Sequence, residues 1–273
     1  MGTPDFSGRT VLVTGASAGV GQASARAFAA AGAHVVCAAR GHERLAAVAA
    51  EVGGTAIVAD VSHPEDCRRL VEETLAAGGG LDVLVNNAGC HHRGPVAQRS
   101  AEELGAMVDA NLRAPIVLTR LALDALRASP AGAVVNVASI AGQMPLAGSA
   151  TYSATKFGLR AFTRALAEEL ADTGVHVSAV SPGPIATDFI LADIDAVSDI
   201  TFSQTMSTPE QIADLILACA ADGRVERSRP VSGRVMATAG YLFPALPRLL
   251  RPLLAARGRR AKARYRRAGS EPR

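Results

Sequence analysis

Tyr152 and Lys156, in the run Tyr152-Ser153-Ala154-Thr155-Lys156, are the two residues whose types and spacing point most directly to chemistry. In a helix, positions four apart share one face, one turn apart, so these side chains converge. A phenol with an ordinary pKa near ~10 is a poor base at neutral pH, and a nearby ammonium favours the phenolate, which makes proton transfer feasible. Of 28 basic residues only Lys156 and Lys262 are lysine, so a chain that otherwise uses arginine changes its habit here, as a need for a compact ammonium would require. Ser139 follows an apolar run and could hydrogen-bond a substrate oxygen. Asn111 lies inside an expected helix, where asparagine is a poor former, and this invites a functional reading. Each has a plainer explanation when taken alone: a surface helix pair for YxxxK, a solvent-facing asparagine for Asn111.

A second chemistry is written near the start. Thr14-Gly15-Ala16-Ser17-Ala18-Gly19-Val20-Gly21 follows a β-branched run and precedes a helical one, 22–31. Glycines let the backbone turn sharply against a pyrophosphate, and the next helix offers unpaired N–H groups and the positive end of its dipole. The plainer alternative is a glycine-rich turn. At the end of the next strand an NAD site would place an acid for the ribose hydroxyls, but the chain reads Ala38-Ala39-Arg40. Arg40 can instead meet a 2′-phosphate, so NADP(H) is favoured and NAD(H) is not excluded. Position 18 supplies no second basic residue, which leaves Arg40 open to reading as a solvated arginine.

These groups need a scaffold. Apolar strands are predicted at 10–14, 33–39, 55–60, 82–86, 133–138 and 175–180, with alanine-rich helices between them, two of them long, at 101–127 and 150–173. Strands apolar almost throughout are buried on both faces, so the pattern predicts an α/β fold, a doubly wound, Rossmann-like parallel sheet in three α/β/α layers. Gly174 suits a helix C-terminus, and Thr208-Pro209-Glu210 opens a further helix toward Ala221. Ligands of such sheets bind beyond the strand C-termini, where Ser139 falls.

The TGxxxGxG start, Asp60-Val61, NNAG at 86–89, Asn111, Ser139, YxxxK at 152–156 and Pro182-Gly183-Pro184-Ile185-Ala186-Thr187 together resemble the short-chain dehydrogenase/reductase family, over roughly residues 7–222. The resemblance implies an oxidoreductase acting on CH–OH donors with NAD(P), interconverting a carbonyl and a secondary alcohol. Tyr152 would be the general acid/base, Ser139 would polarise the carbonyl, Lys156 would hold the nicotinamide ribose and lower the tyrosine pKa, and Asn111 would hold a water relay. Cofactor contacts would come from Thr14, Gly15, Ser17, Gly19, Val20 and Gly21, from Arg40, from Asp60 and Val61 beside the adenine, and from Asn87, Ala88 and Gly89. Tyr152, Lys156, Pro182, Gly183, Ile185 and Thr187 would complete them. This chemistry requires no metal. The alternative that stays open is a catalytically silent dinucleotide-binding regulator.

Around this centre the sequence says less. Residues 188–207, with Phe189, Ile190, Leu191, Ile194, Phe202 and Met206, would form a lid suited to an apolar substrate, or would simply pack an amphipathic helix on the body. Gln143, Met144, Leu146, Cys90, His91 and His92 would border the pocket, with His91-His92 read as loop. Residues 1–240 are expected to form one catalytic domain and 241–273 an apolar then basic extension, disordered beyond about 257. Residues 248–273 carry ten Arg/Lys and one acid, against an acidic body. Such a tail could touch an anionic membrane surface through 241–267; nucleic acid is disfavoured for want of interleaved aromatics. Because 230–235 departs from the usual family ending, a homodimer through the long helices is favoured over a tetramer. Cys37, Cys67, Cys90 and Cys219 show no CxxC or zinc spacing, and no apolar run is long enough to span a membrane, which is read as a reduced, cytoplasmic protein.

Overall fold

A computed structural model of the chain describes residues 4–191, 194–195, 197–243 and 245–270. The ends of the expected domain and tail at 1–3 and 271–273, the lid positions 192, 193 and 196, and the Leu191 side chain lie outside the described residues. Seven parallel strands form one sheet in the order β3-β2-β1-β4-β5-β6-β7. They are β1 (Thr10–Thr14), β2 (His34–Ala39), β3 (Thr55–Val58), β4 (Val83–Asn86), β5 (Ala133–Val137), β6 (His176–Pro182) and β7 (Glu226–Arg229). The doubly wound three-layer α/β/α fold read from the sequence is the fold observed. Six strands fall where their apolar runs predict; the seventh, Glu-Arg-Ser-Arg, does not look like a strand because it is a polar sheet edge.

Strand pleating sorts the core into two layers. Val11 and Val13 of β1 and Val83 and Val85 of β4 point to one cluster, together with Phe6, Phe28, Ile212 and Ile216. Leu12 and Leu84, one residue out of phase, point to the other, with Leu70, Leu118, Leu126 and Leu166. Helices α1 (Gly19–Ala30), α2 (His42–Glu51) and α8 (Pro209–Asp222) cover the first face. Helices α3 (Pro64–Gly78), α5 (Ala114–Ala128) and α6 (Ala150–Glu169) cover the second. Thr208 caps α8 in a reciprocal capping box with Gln211, and Gly174 takes the left-handed conformation at φ 77° after the last turn following α6.

The long helix expected at 101–127 is α4 (Ala101–Val108) and α5 joined through a π-helical turn, Asp109–Arg113. Beneath the site, Asn86 donates to Asn136 at 2.9 Å and Asn136 to Thr163 at 2.9 Å, a buried ladder that ties β4 and β5 to α6. The sheet edge is locked by Glu226, which accepts two hydrogen bonds from Arg160 of α6 at 2.6 and 3.0 Å.

The C-terminal extension corrects the sequence reading. The expected boundary at 240 falls inside α9 (Val231–Leu242), and the disorder expected beyond 257 is replaced by α10 (Ala245–Ser270). Local composition suggested a solvated tail, but α10 has a packing partner far away in sequence: the 3-10 turn Asp199–Ser203 of the lid segment. Among the described residues no helix is long and apolar enough to cross a membrane, and no group of His, Cys, Asp and Glu is placed to hold a metal ion.

Candidate active site

The chain leaves β3, crosses the sheet and resumes at β4 beside β1, so the loops after β1 and β4 part from each other at this switch point. A cleft of about 1460 Å³ opens there and continues past β5 and β6 to the lid. Gly15 and Gly19 take φ of 67° and 55°, which side chains resist, and a Cβ on Gly21 would sit 2.1 Å from the Gly15 carbonyl oxygen. The loop therefore turns tightly into α1, whose N-cap Ala18 offers no capping side chain and whose first turn has no acid. An anion beside this helix would meet its N–H groups and the positive end of its dipole.

Gly15, Ser17, Gly19, Val20, Asp60, Val61, Asn87, Ala88 and Gly89 all line the cleft, as do Pro182, Gly183, Ile185 and Thr187. Thr14 and Gly21 do not; they shape it from behind. The Thr14 hydroxyl accepts from the N–H groups of Asn87 and Ala88 at 3.0 and 3.1 Å, while the Asn87 amide donates to the Thr14 carbonyl at 2.9 Å. These bonds latch the end of β1 to the end of β4. Asp60 accepts from Ser62 N–H and hydroxyl at 3.0 and 2.7 Å; burial works to raise its pKa, but these bonds and the Arg40 charge hold it below the ordinary aspartate range.

Arg40, the first residue past β2, stands on the cleft rim. So does Arg44, one turn into α2, which also borders the adjoining hollow beside Ser17 and Ala18. The second cation missing at position 18 is thus supplied from α2. Local sequence hides it because only the fold brings this helix to the glycine loop. An extended cleft, an uncapped helix start and two arginines at its rim fit a phosphorylated dinucleotide.

At the far end of the cleft, α6 presents Tyr152 and Lys156 on one face, as their spacing requires. The Tyr152 hydroxyl faces Ser139, which works to lower the phenol's pKa, and the Ser139 oxygen accepts from Ala141 N–H at 3.1 Å. The Lys156 ammonium donates to the Val137 carbonyl at 2.8 Å and stands 5.8 Å from the Tyr152 ring centroid. Burial lowers the Lys156 pKa to about 8. Burial pushes the Tyr152 phenol above the ordinary range, Ser139 and the Arg93 charge pulling the other way.

Asn111 is fully buried and does not face solvent. The π turn carries it inward, where its amide donates to the Cys90 carbonyl at 2.9 Å and accepts from the Cys90 N–H at 2.8 Å. This pairing holds the strand exit after NNAG in place and occupies both ends of the amide.

His91, read from the sequence as plain loop, lies flat on Tyr152 with ring centroids 4.0 Å apart and 14° between planes. Its Nε2 is 3.1 Å from the Ser149 hydroxyl, and burial pushes its pKa down to about 3, so the ring is neutral. Arg93 donates to the Phe189 carbonyl at 2.8 Å and its guanidinium stacks over the Phe189 ring, tying this loop to α7 (Asp188–Leu191) of the lid. The lid leaves and rejoins the body at one point, where Ala186 N–H donates to Ser207 and Ser207 N–H to Pro184, both at 2.9 Å. Cys90, His91, His92, Met144, Leu146, Phe189 and Ile190 line the cleft, together with Tyr241 and Leu254 from α9 and α10. Gln143 does not; it is buried against Glu226 and Ser228. Phe202 is buried beneath Lys262 and Tyr265 of α10.

Comparison with known proteins agrees with this geometry. Residues 9–195 match the family described as short chain dehydrogenase. The chain is 37% identical to a ketoacyl reductase, HetN, of Nostoc over 217 residues, 78% of this chain and 75% of that protein. It is 37% identical to a 3-oxoacyl-(acyl-carrier-protein) reductase of Synechocystis over 222 residues, 78% and 90% of the two chains. It is also 40% identical to an L-fucose dehydrogenase of Bos taurus over 192 residues, 68% and 69%. The chain belongs to the short-chain dehydrogenase/reductase family, oxidoreductases that act on alcohol and carbonyl groups with a nicotinamide dinucleotide.

Proposed function

We propose that the protein is an NADP(H)-dependent oxidoreductase that interconverts a carbonyl and a secondary alcohol on an apolar small molecule, with Tyr152 as its general acid and base. The observation that carries this reading is one continuous cleft with the glycine loop and two arginines at one end and the Tyr152–Ser139 pair at the other. Relatives named for ketoacyl reduction support the carbonyl chemistry, and the sugar dehydrogenase among them leaves the substrate to the pocket lining.

The bound nicotinamide would supply or accept the hydride at the carbonyl carbon. Gly15 to Val20 would hold its pyrophosphate, Arg40 and Arg44 the 2′-phosphate, Asp60 and Val61 the adenine side, and Ile185 with Thr187 the carboxamide. Ser139 would donate its hydroxyl to the substrate oxygen and hold it beside Tyr152. In reduction the Tyr152 hydroxyl gives its proton to that oxygen; its raised pKa keeps it protonated and ready to do so at neutral pH. In oxidation the same group must accept a proton and so must first be the phenolate, which the neighbouring Lys156 ammonium would stabilise. Asn111 would contribute by fixing Cys90 and the adjoining His91, beside the water relay that the family resemblance assigns to it.

The chain through α9 would form the catalytic unit, with α10 strapped across its lid. Pairing of α4, α5 and α6 with a second copy would give a homodimer; Val108 and Ile116 are exposed apolar side chains on this side. Four free cysteines suit a reducing cytoplasm. The deciding experiment is Tyr152→Phe: NADPH affinity stays near the parent value while ketone reduction falls by about 10²–10⁴-fold. Equal turnover in the two proteins would refute the assignment.

A further inference from the structure

Helices α9 and α10 and the residue between them leave large apolar side chains uncovered. Tyr241, Leu242 and Phe243 are 57%, 64% and 65% exposed, Leu249 is 80% exposed and Leu253 is 70% exposed. Tyr241 also lines the cleft, so this apolar surface is continuous with the substrate end of the pocket.

Helix α10 is two-sided. Gly258, Lys262 and Tyr265 fall on the stripe that packs on the lid turn: Lys262 donates to the Val197 carbonyl at 2.7 Å, and Tyr265 meets Phe202. The opposite stripe carries Leu249, Leu253, Arg257, Arg260 and Arg264, spaced four, four, three and four residues apart, all within one face of the helix. Its first half is apolar and its second half cationic. Residues 231–270 hold ten Arg/Lys and no acid.

We propose that this outer face docks on an anionic phospholipid surface. Leu249 and Leu253, with Leu242 and Phe243, enter the acyl boundary, while Arg257, Arg260 and Arg264 meet the headgroups. Charge complementarity selects this occupant. A second copy meeting the same face about a two-fold axis would set one cationic helix against another with no acid on either. Nucleic acid would leave the leucines without a partner. Tyr241, exposed and lining the cleft, adjoins Leu242 and Phe243 in the chain, so docking through these residues would bring the substrate end of the cleft toward the lipid surface, from which an apolar substrate could pass to Tyr152. That delivery rests on the oxidoreductase reading; the docking does not.

The test is flotation of the full-length chain through a density gradient with phosphatidylcholine vesicles, alone or mixed with phosphatidylglycerol. The protein is expected to float with the mixed vesicles and to remain at the bottom with phosphatidylcholine alone. Arg257→Gln, Arg260→Gln and Arg264→Gln together should weaken partitioning by roughly 100-fold or more, and raised salt should weaken it further. Leu249→Ser with Leu253→Ser should release the protein, its thermal midpoint and NADPH binding unchanged. No flotation of the parent chain, flotation untouched by both sets of variants, a dimer mass that the leucine changes convert to monomer, or retention on duplex RNA in place of vesicles would each overturn the proposal.

Discussion

The imidazole of His91 lies parallel to the phenol ring of Tyr152, with centroids 4.0 Å apart and 14° between planes. Two constraints fix it: Asn111 clamps the backbone of Cys90 just before it, and Ser149 meets its Nε2 at 3.1 Å. A ring that can neither tilt nor carry charge makes a flat wall against which Tyr152 has a single orientation. Removing it in His91→Ala should lower kcat by roughly 10- to 100-fold, because small displacements of a reacting group are costly. His91→Phe keeps a flat ring and should restore most of the rate. A Phe variant as slow as the Ala variant would show that the imidazole nitrogens, and not the stacking, matter.

Lys156 is expected to set the pH response. Burial lowers its pKa to about 8, whereas the Tyr152 phenol is raised and stays protonated well beyond that point. Below about 8 the ammonium is charged; as pH rises through this value the charge is lost, and with it the stabilisation of developing phenolate. The rate of ketone reduction should therefore be level near neutrality and fall above about pH 8. His91, neutral down to about 3, should contribute no limb between these values. A profile measured at saturating cofactor that stays flat through about pH 11, beyond the ordinary lysine value of about 10.4, would remove Lys156 from this role.

Much of this was legible because local sequence and global fold impose the same pattern. Strands buried on both faces, such as Val11–Val13 and Val83–Val85, must be apolar throughout, and the residues proposed to serve one reaction, Ser139, Tyr152 and Lys156, sit at spacings that helix and strand geometry dictate. What escaped depends on distant partners. β7 is polar because it lies at the sheet edge, where Glu226 is satisfied by Arg160, 66 residues away. Helix α10 looks like a solvated tail until Val197 and Phe202 supply its contacts. His91 and Arg44 reach the cleft only through the paths of a loop and a helix that no spacing rule encodes.

Arg44 leads to a test of cofactor choice. Arg40 and Arg44 flank one rim of the cleft, and each can give a charge-assisted bond to a 2′-phosphate. Replacing both by alanine should reduce kcat/KM for NADPH by about 10- to 100-fold, the usual worth of bonds to a charged group. The value for NADH should hardly change, since that cofactor has no phosphate to lose. Arg44→Ala alone should give an intermediate loss. Parallel losses with both cofactors would mean that the arginines support the loop and do not select the phosphate.

Gly258 offers a way to probe the lid from outside the cleft. A Cβ at this position would lie 1.8 Å from the Asp199 carbonyl oxygen, a backbone atom that cannot swing aside. In an open helix, Gly→Ala stabilises by about 1 kcal/mol, but here the overlap must push α10 away from the 3-10 turn and pull Lys262 from the Val197 carbonyl. The clash should win. Gly258→Ala is therefore expected to loosen the lid, raising KM for an apolar ketone and leaving NADPH affinity and the pH profile of Tyr152 and Lys156 unchanged, because the glycine loop and α6 lie outside the disturbed contact. Gly258→Ser should behave alike, its Cβ meeting the same oxygen. An unchanged KM, measured alongside an unchanged melting midpoint, would mean that α10 can be displaced without moving the lid and that the two elements are not coupled.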